Sequence, residues 1–290
     1  MLHTDATTID FGKHKRLFVI GCSFTHWIWP TWADIIQKQH PHLEYYNFGV
    51  PGCGNDYMLT IINQITREYT LDENDLVIIM WSSFHRLSYY NTYRSKDELQ
   101  KALISGTGLV KEDIIKCTYN WESGDDIIGL QALNNTHASC DRGYLIRDLA
   151  IIDTVTALIE QSRYSGAYML STGIKDQHLF DSTAVKTYSD DVFEFYKHID
   201  SKCLGDSLYT VLGPTHNVIK WDPPGPEEDY HPYSVQYCDY LKALNFEISD
   251  EIVEWCNECD QVIAGTTDAV YLDQGTDWPY SFRGTTKFPL

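Results

Sequence analysis

A serine presented at the end of a buried strand is a candidate nucleophile, and Ser23 occupies that position. It follows Leu17 to Ile20, four apolar residues that suit a strand buried on both faces, and Gly21, which permits a sharp exit from that strand. Beyond it the chain turns polar and then helical. Thr25 is expected to cap the next helix, and Pro30 to fall in the first turn of a helix running through Trp32 to Gln39. Such a serine sits with its hydroxyl and backbone N–H at the C-terminal edge of a parallel sheet, where α/β proteins usually place their sites.

Three further stretches carry chemistry. Asn47 to Asp56, NFGVPGCGND, is a constrained loop after the run Leu43 to Tyr46, and it precedes a helical pattern from Tyr57 to Tyr69. Its glycines let the backbone approach a ligand closely and aim N–H groups at a developing oxyanion, while Asn55 and Asp56 are equally suited to capping the helix. Asp75 to Trp81, DLVIIMW, reads as a strand followed by Ser82, Ser83, Phe84, His85 and Arg86. Far along the chain, EEDYHPYSVQYCDY (Glu227 to Tyr240) sets an acidic cluster before His231 and Pro232; the proline fixes the loop and opens a helix, leaving the imidazole to turn toward a partner.

In this order the stretches resemble the blocks of the SGNH, or GDSL-type, hydrolases. GCSFT resembles their first block, with Cys22 where the commoner spelling has Asp. The resemblance implies a Ser-His-acid triad of Ser23, His231 and Asp229, with Glu228 as the alternative acid. It also implies an oxyanion hole of the Ser23 and Gly52 N–H groups, Gly54 being the second choice. The third block departs from the family: no Asn follows the strand at Trp81, so Asn55 or Ser83 is left as the remaining donor. Trp27, Trp81 and Arg86 are the candidate substrate contacts, the rings to stack on a sugar or line an acyl pocket and the guanidinium to clamp an anion. The implied activity is hydrolysis of a small-molecule or carbohydrate ester. An O-acyltransferase, or a repurposed domain that binds a glycan or a partner protein, is the alternative raised by the missing Asn and the irregular acid spacing.

The elements that must position these residues predict an α/β chain: a three-layer α/β/α sandwich with a mainly parallel sheet of about five strands, of the flavodoxin-like SGNH type. Residues 1–290 read as one domain, with a lid-like insertion over 89–140 that holds a helix at Ser95 to Ser105, and an irregular extension over 264–290 free to pack on a neighbouring subunit. Apolar positions Leu145, Ile146, Leu149, Ile152, Val155 and Leu158 predict a helix over Tyr144 to Arg163. Ala167 to Ser171 reads as a strand, Asp190 to Cys203 as a helix, Tyr209 to Leu212 as a short strand and Glu247 to Cys259 as a helix.

Composition bounds the setting. With 290 residues and 43% hydrophobic content the chain can bury a large core without a staple. A net charge of −19 argues against nucleic acid and anionic membrane partners, because no broad basic face exists to displace counterions. Without an 18-residue apolar run or a signal-peptide core at the amino end, the expectation is a soluble cytoplasmic protein. Its eight cysteines read as core residues or free thiols; the single CNEC at Cys256 to Cys259 suits one face of a helix, and neither metal nor cofactor is expected.

Overall fold

A computed structural model describes residues 1–27, 29–50, 53–84, 87–90, 114–117, 141–173, 190–213, 217–218, 228–229 and 231–265. The strands are β1 (Leu2–His3), β2 (Arg16–Gly21), β3 (Glu44–Gly49), β4 (Asp75–Trp81), β5 (Leu87–Tyr90), β6 (Ile114–Cys117), β7 (Ser165–Leu170), β8 (Asn217–Val218) and β9 (Glu228–Asp229). Five of them form one sheet in the order β1-β7-β4-β2-β3, with every pairing parallel. The two central strands explain why these sequences choose this fold. Leu17 to Ile20 and Leu76 to Trp81 are wholly buried, as continuous apolar runs must be when helices cover both faces of a sheet.

The helices are α1 (Trp32–Gln39), α2 (Asn55–Glu68), α3 (Asp141–Gln161), α4 (Asp190–Asp200), α5 (Leu208–Leu212), α6 (Ser234–Ala243) and α7 (Asp250–Gly265). From β2 the chain moves outward through α1 to β3, then back past β2 through α2 to β4. Right-handed crossovers in opposite directions put α1 and α2 on opposite faces. Packing follows that division: α2 lies against α3, while α6 joins α1, α5 and α7. The result is a three-layer α/β/α arrangement around a parallel sheet.

Several local expectations are corrected. Thr31, not Thr25, caps α1, with its backbone N–H donating to Asp34 Oδ2 at 2.9 Å, so Pro30 precedes the cap instead of entering the first turn. Tyr209 to Leu212 belongs to the short helix α5 and not to a strand, because Ser207 caps it by accepting the Thr210 N–H at 3.1 Å. Ile146 and Leu158 are 39% and 41% exposed, so the apolar stripe of α3 is narrower than its composition implies. At the entry to the expected lid, β5 pairs antiparallel with β6; the helix expected at 95–105 lies outside the described residues, and of the extension expected over 264–290 the first two residues belong to α7 while the rest lies outside them. Cys256 and Cys259 are buried on α7, with Cys256 Sγ 3.3 Å from Cys238 Sγ. Among the described residues no helix is long and apolar enough to cross a membrane.

Candidate active site at the carboxyl edge of the sheet

The chain leaves β2 in one direction and returns to β4 on the other side, which opens a crevice between the carboxyl ends of these two neighbours, the topological switch point at which open α/β sheets bind ligands. Ser23 sits there. Its turn closes through Thr25 N–H and His26 N–H, which donate to the Cys22 carbonyl at 3.0 and 3.2 Å. Gly21 and Gly49 are required for space. A Cβ on Gly21 would overlap Thr25 Oγ1 and stand 2.8 Å from Thr25 Cβ, and one on Gly49 would stand 2.7 Å from His26 Cβ. The Thr25 carbonyl accepts from Thr31 Oγ1 at 2.9 Å and from Asn47 Nδ2 at 3.0 Å, so the turn is tied to both α1 and β3.

Ser23 is only 6% exposed, yet among the described residues nothing accepts a hydrogen bond from its backbone N–H or its hydroxyl. Buried N–H groups without a partner are rare, since each costs about 1–3 kcal/mol. A backbone N–H and a hydroxyl on one residue, set in a tight turn at a switch point, are the groups that an oxyanion contact and an attacking oxygen require.

His231 is brought to this turn from far away in sequence. Its ring stacks on Trp27, with centroids 3.9 Å apart and planes at 18°, and lies 5.0 Å from the ring of Phe24, the residue after Ser23. The following backbone is tethered to the same segment: Trp29 Nε1 donates to the Pro232 carbonyl at 2.8 Å, and Ser234 Oγ to the Pro30 carbonyl at 3.1 Å. Asp260 of α7 caps α6 by accepting the Ser234 and Val235 N–H groups at 2.8 and 2.9 Å. No hydrogen bond joins Ser23 and His231 among the described residues. The candidate acids Asp229 and Glu228 form β9, whose backbone pairs antiparallel with β8.

The remaining candidates divide. Gly52 and Arg86 lie outside the described residues, and Gly54 is the N-cap of α2. Ser83 Oγ shares a 3.0 Å hydrogen bond with Thr172 Oγ1 beyond β7. Asn55 is wholly buried in a network of its own. Its Oδ1 accepts the Ser82 N–H at 2.9 Å, and its Nδ2 reaches the Ser82 carbonyl at 3.3 Å and Asp148 Oδ2 at 3.2 Å. Trp81 is a core residue: as the last residue of β4 it pairs with Leu170, and its ring packs edge-on against Tyr168, 5.5 Å away and wholly buried. Trp27 is half-buried beneath His231.

Sequence reasoning did not single out Asp148. It is wholly buried, Arg147 Nε donates to its Oδ1 at 2.8 Å, and burial pushes its carboxyl up to about 6 against the opposing pull of Arg147 and Asn55. The signal was present, for an acid stands on the apolar stripe of α3 between Leu145 and Leu149. Comparison with protein-family models, curated proteins and solved structures finds no match to this chain.

Proposed function

We propose that this chain is a serine ester hydrolase of the SGNH type, acting on a small-molecule or carbohydrate ester. The observation that carries the reading is the nearly buried Ser23, whose N–H and O–H make no hydrogen bond among the described residues, set in a turn whose next aromatic residues hold His231. In this reading His231 takes the Ser23 proton as Oγ attacks the ester carbonyl, and the Ser23 N–H, with a donor from the loop that holds Gly52, receives the oxyanion. The leaving alcohol accepts the proton from His231. Water, activated by the same imidazole, then releases the acyl group. Asp229 or Glu228 serves as the acid that orients His231. The Ser23–His231 hydrogen bond forms on substrate binding, as hydrogen bonds of this kind commonly do.

The test uses a p-nitrophenyl ester and a fluorophosphonate probe on the purified protein. Wild-type protein is expected to turn over the ester and to be labelled at Ser23. Ser23→Ala should lose at least about 10³-fold in kcat with an unchanged melting temperature. Turnover retained in Ser23→Ala, or no labelling of folded wild-type protein, sinks the esterase reading and favours a binding domain.

A further inference from the structure

We infer that Trp27 and Trp29 are the positioning residues of His231, setting the plane and the place of the imidazole from the same segment that carries Ser23. The inference rests on the assignment of Ser23 and His231 above and adds roles which that assignment does not contain. An imidazole can be aimed in two ways, by a hydrogen bond to one of its nitrogens or by packing against its faces and edges. Here the packing is explicit. The Trp27 indole covers one face of the ring at 3.9 Å and 18°, Trp29 meets its edge with centroids 6.3 Å apart at 86°, and Phe24 closes a third side at 5.0 Å and 46°. A stack so close to parallel fixes the ring plane, and with it the plane in which both nitrogens point.

The second component is a tether. Trp29 is 2% exposed, and its indole N–H donates to the Pro232 carbonyl at 2.8 Å, fixing the Pro232–Tyr233 peptide, one residue beyond His231. Proline at 232 removes one backbone freedom at that point, so a single buried hydrogen bond locates the His231 Cα with unusual economy. The two indoles also meet each other, edge to face at 6.0 Å, and act as one unit. Because Trp27 is four residues from Ser23 and its ring touches His231, any displacement of this turn moves nucleophile and base together, which preserves their relative geometry.

A substrate role for Trp27 makes a different prediction. The indole face covered by His231 at 3.9 Å is not open to a sugar ring, so stacking there would require the imidazole to leave. If Trp27 bound substrate, its loss would raise KM and leave kcat unchanged; if it positions His231, kcat falls and KM holds.

The experiment pairs kinetics with an NMR observation independent of turnover. The His231 ring C–H resonances, assigned by their loss in His231→Gln, should show an upfield ring-current shift of several tenths of a ppm in wild-type protein. Trp27→Leu should abolish most of that shift and lower kcat about 10²-fold, with KM within roughly 3-fold. Trp27→Phe, which keeps a stacking ring, should restore most of both. Trp29→Phe keeps the ring and removes only the donor to Pro232, so it should lower kcat about 10-fold while the ring-current shift persists. An unchanged His231 shift in Trp27→Leu, or a change confined to KM, overturns the inference. Turnover retained in Ser23→Ala overturns the esterase assignment instead, and the ring-current result still reports the stack.

Discussion

Asn55 grips both backbone groups of one residue, accepting the Ser82 N–H on Oδ1 at 2.9 Å and reaching the Ser82 carbonyl with Nδ2 at 3.3 Å. The exit of β4 is therefore held by a side chain from α2 in place of a sheet partner. Asn55→Ala removes at once the acceptor and the donor that this side chain offers the buried Ser82 backbone. It should cost about 2–4 kcal/mol in urea unfolding. Asn55→Asp should cost more at neutral pH, because it sets a second carboxylate against Asp148. A loss under about 1 kcal/mol in the alanine variant, or an aspartate variant as stable as wild type, would show that the network is incidental.

Asp148 gives the fold a pH dependence whose sign can be worked out. Burial raises its folded-state pKa to about 6, above its unfolded value, and Asp56 adds to the effect while Arg147 and Asn55 oppose it. Between about pH 4 and 6 the folded state therefore holds more protons than the unfolded one. The contribution to stability is full below about pH 4 and is lost as pH rises through 6. Asp148→Asn keeps an acceptor for Asn55 and cannot ionise, while Arg147 is exposed enough to turn to water. Wild-type stability minus that of Asp148→Asn should fall by about 2–3 kcal/mol from pH 4 to pH 7, as read by urea melts at each pH. A difference that rises with pH, or stays flat, would contradict the assignment.

How much of this was legible in the sequence depends on whether the signal was local. The runs at Leu17 and Leu76 announced buried parallel strands because continuous apolarity has few other outlets, and the sheet follows from them. Ser23 was legible for the same reason, since a strand that ends in glycine and serine leaves the serine at the sheet edge. Thr25 was misread as a cap because Thr25 and Thr31 are equally suited by type; only Asp34, placed to accept the Thr31 N–H, distinguishes them. Asp148 was missed, and Trp29 was read only as one of the aromatics beside the site, because their meaning lies in partners far along the chain, 93 residues away at Asn55 for the one and 203 at Pro232 for the other. Trp81 was assigned to substrate from its place after the strand, whereas the register with Leu170 turns it into the core.

Gly49 should tolerate no side chain. A Cβ there meets His26 Cβ at 2.7 Å, the His26 backbone nitrogen at 2.9 Å and Asn47 Oδ1 at 2.9 Å, and a backbone atom cannot rotate aside. Gly49→Ala is expected to lose roughly 3 kcal/mol or more, through displacement of the turn that follows Ser23. Gly12→Ala is the control: its nearest contact is the exposed Asp10 Oδ1 at 3.3 Å, and its melting temperature should stay within about 2 °C of wild type. Equal effects at the two positions would mean that the turn is not held by this approach.

The amino-terminal edge of the sheet offers a test of fold energetics away from the site. Arg16 binds Asp75 through two bonds, Nε to Oδ1 at 2.6 Å and Nη2 to Oδ2 at 2.7 Å, and Asp75 also accepts the Asp72 N–H at 2.7 Å. The partners are unequally placed: the Asp75 side chain is wholly buried, whereas that of Arg16 is 24% exposed. Removing the cation strands a buried carboxylate, while removing the anion leaves a guanidinium that still donates to the Tyr69 carbonyl and can reach water. Arg16→Met should therefore cost about 3–5 kcal/mol, and Asp75→Asn only about 1–3 kcal/mol, because the amide keeps one acceptor and a near-identical shape. Neither variant should alter turnover per folded molecule, since both sit at the end of the sheet opposite Ser23. Equal costs in urea unfolding would indicate that the attraction between the charges, and not the burial of Asp75, dominates this pair.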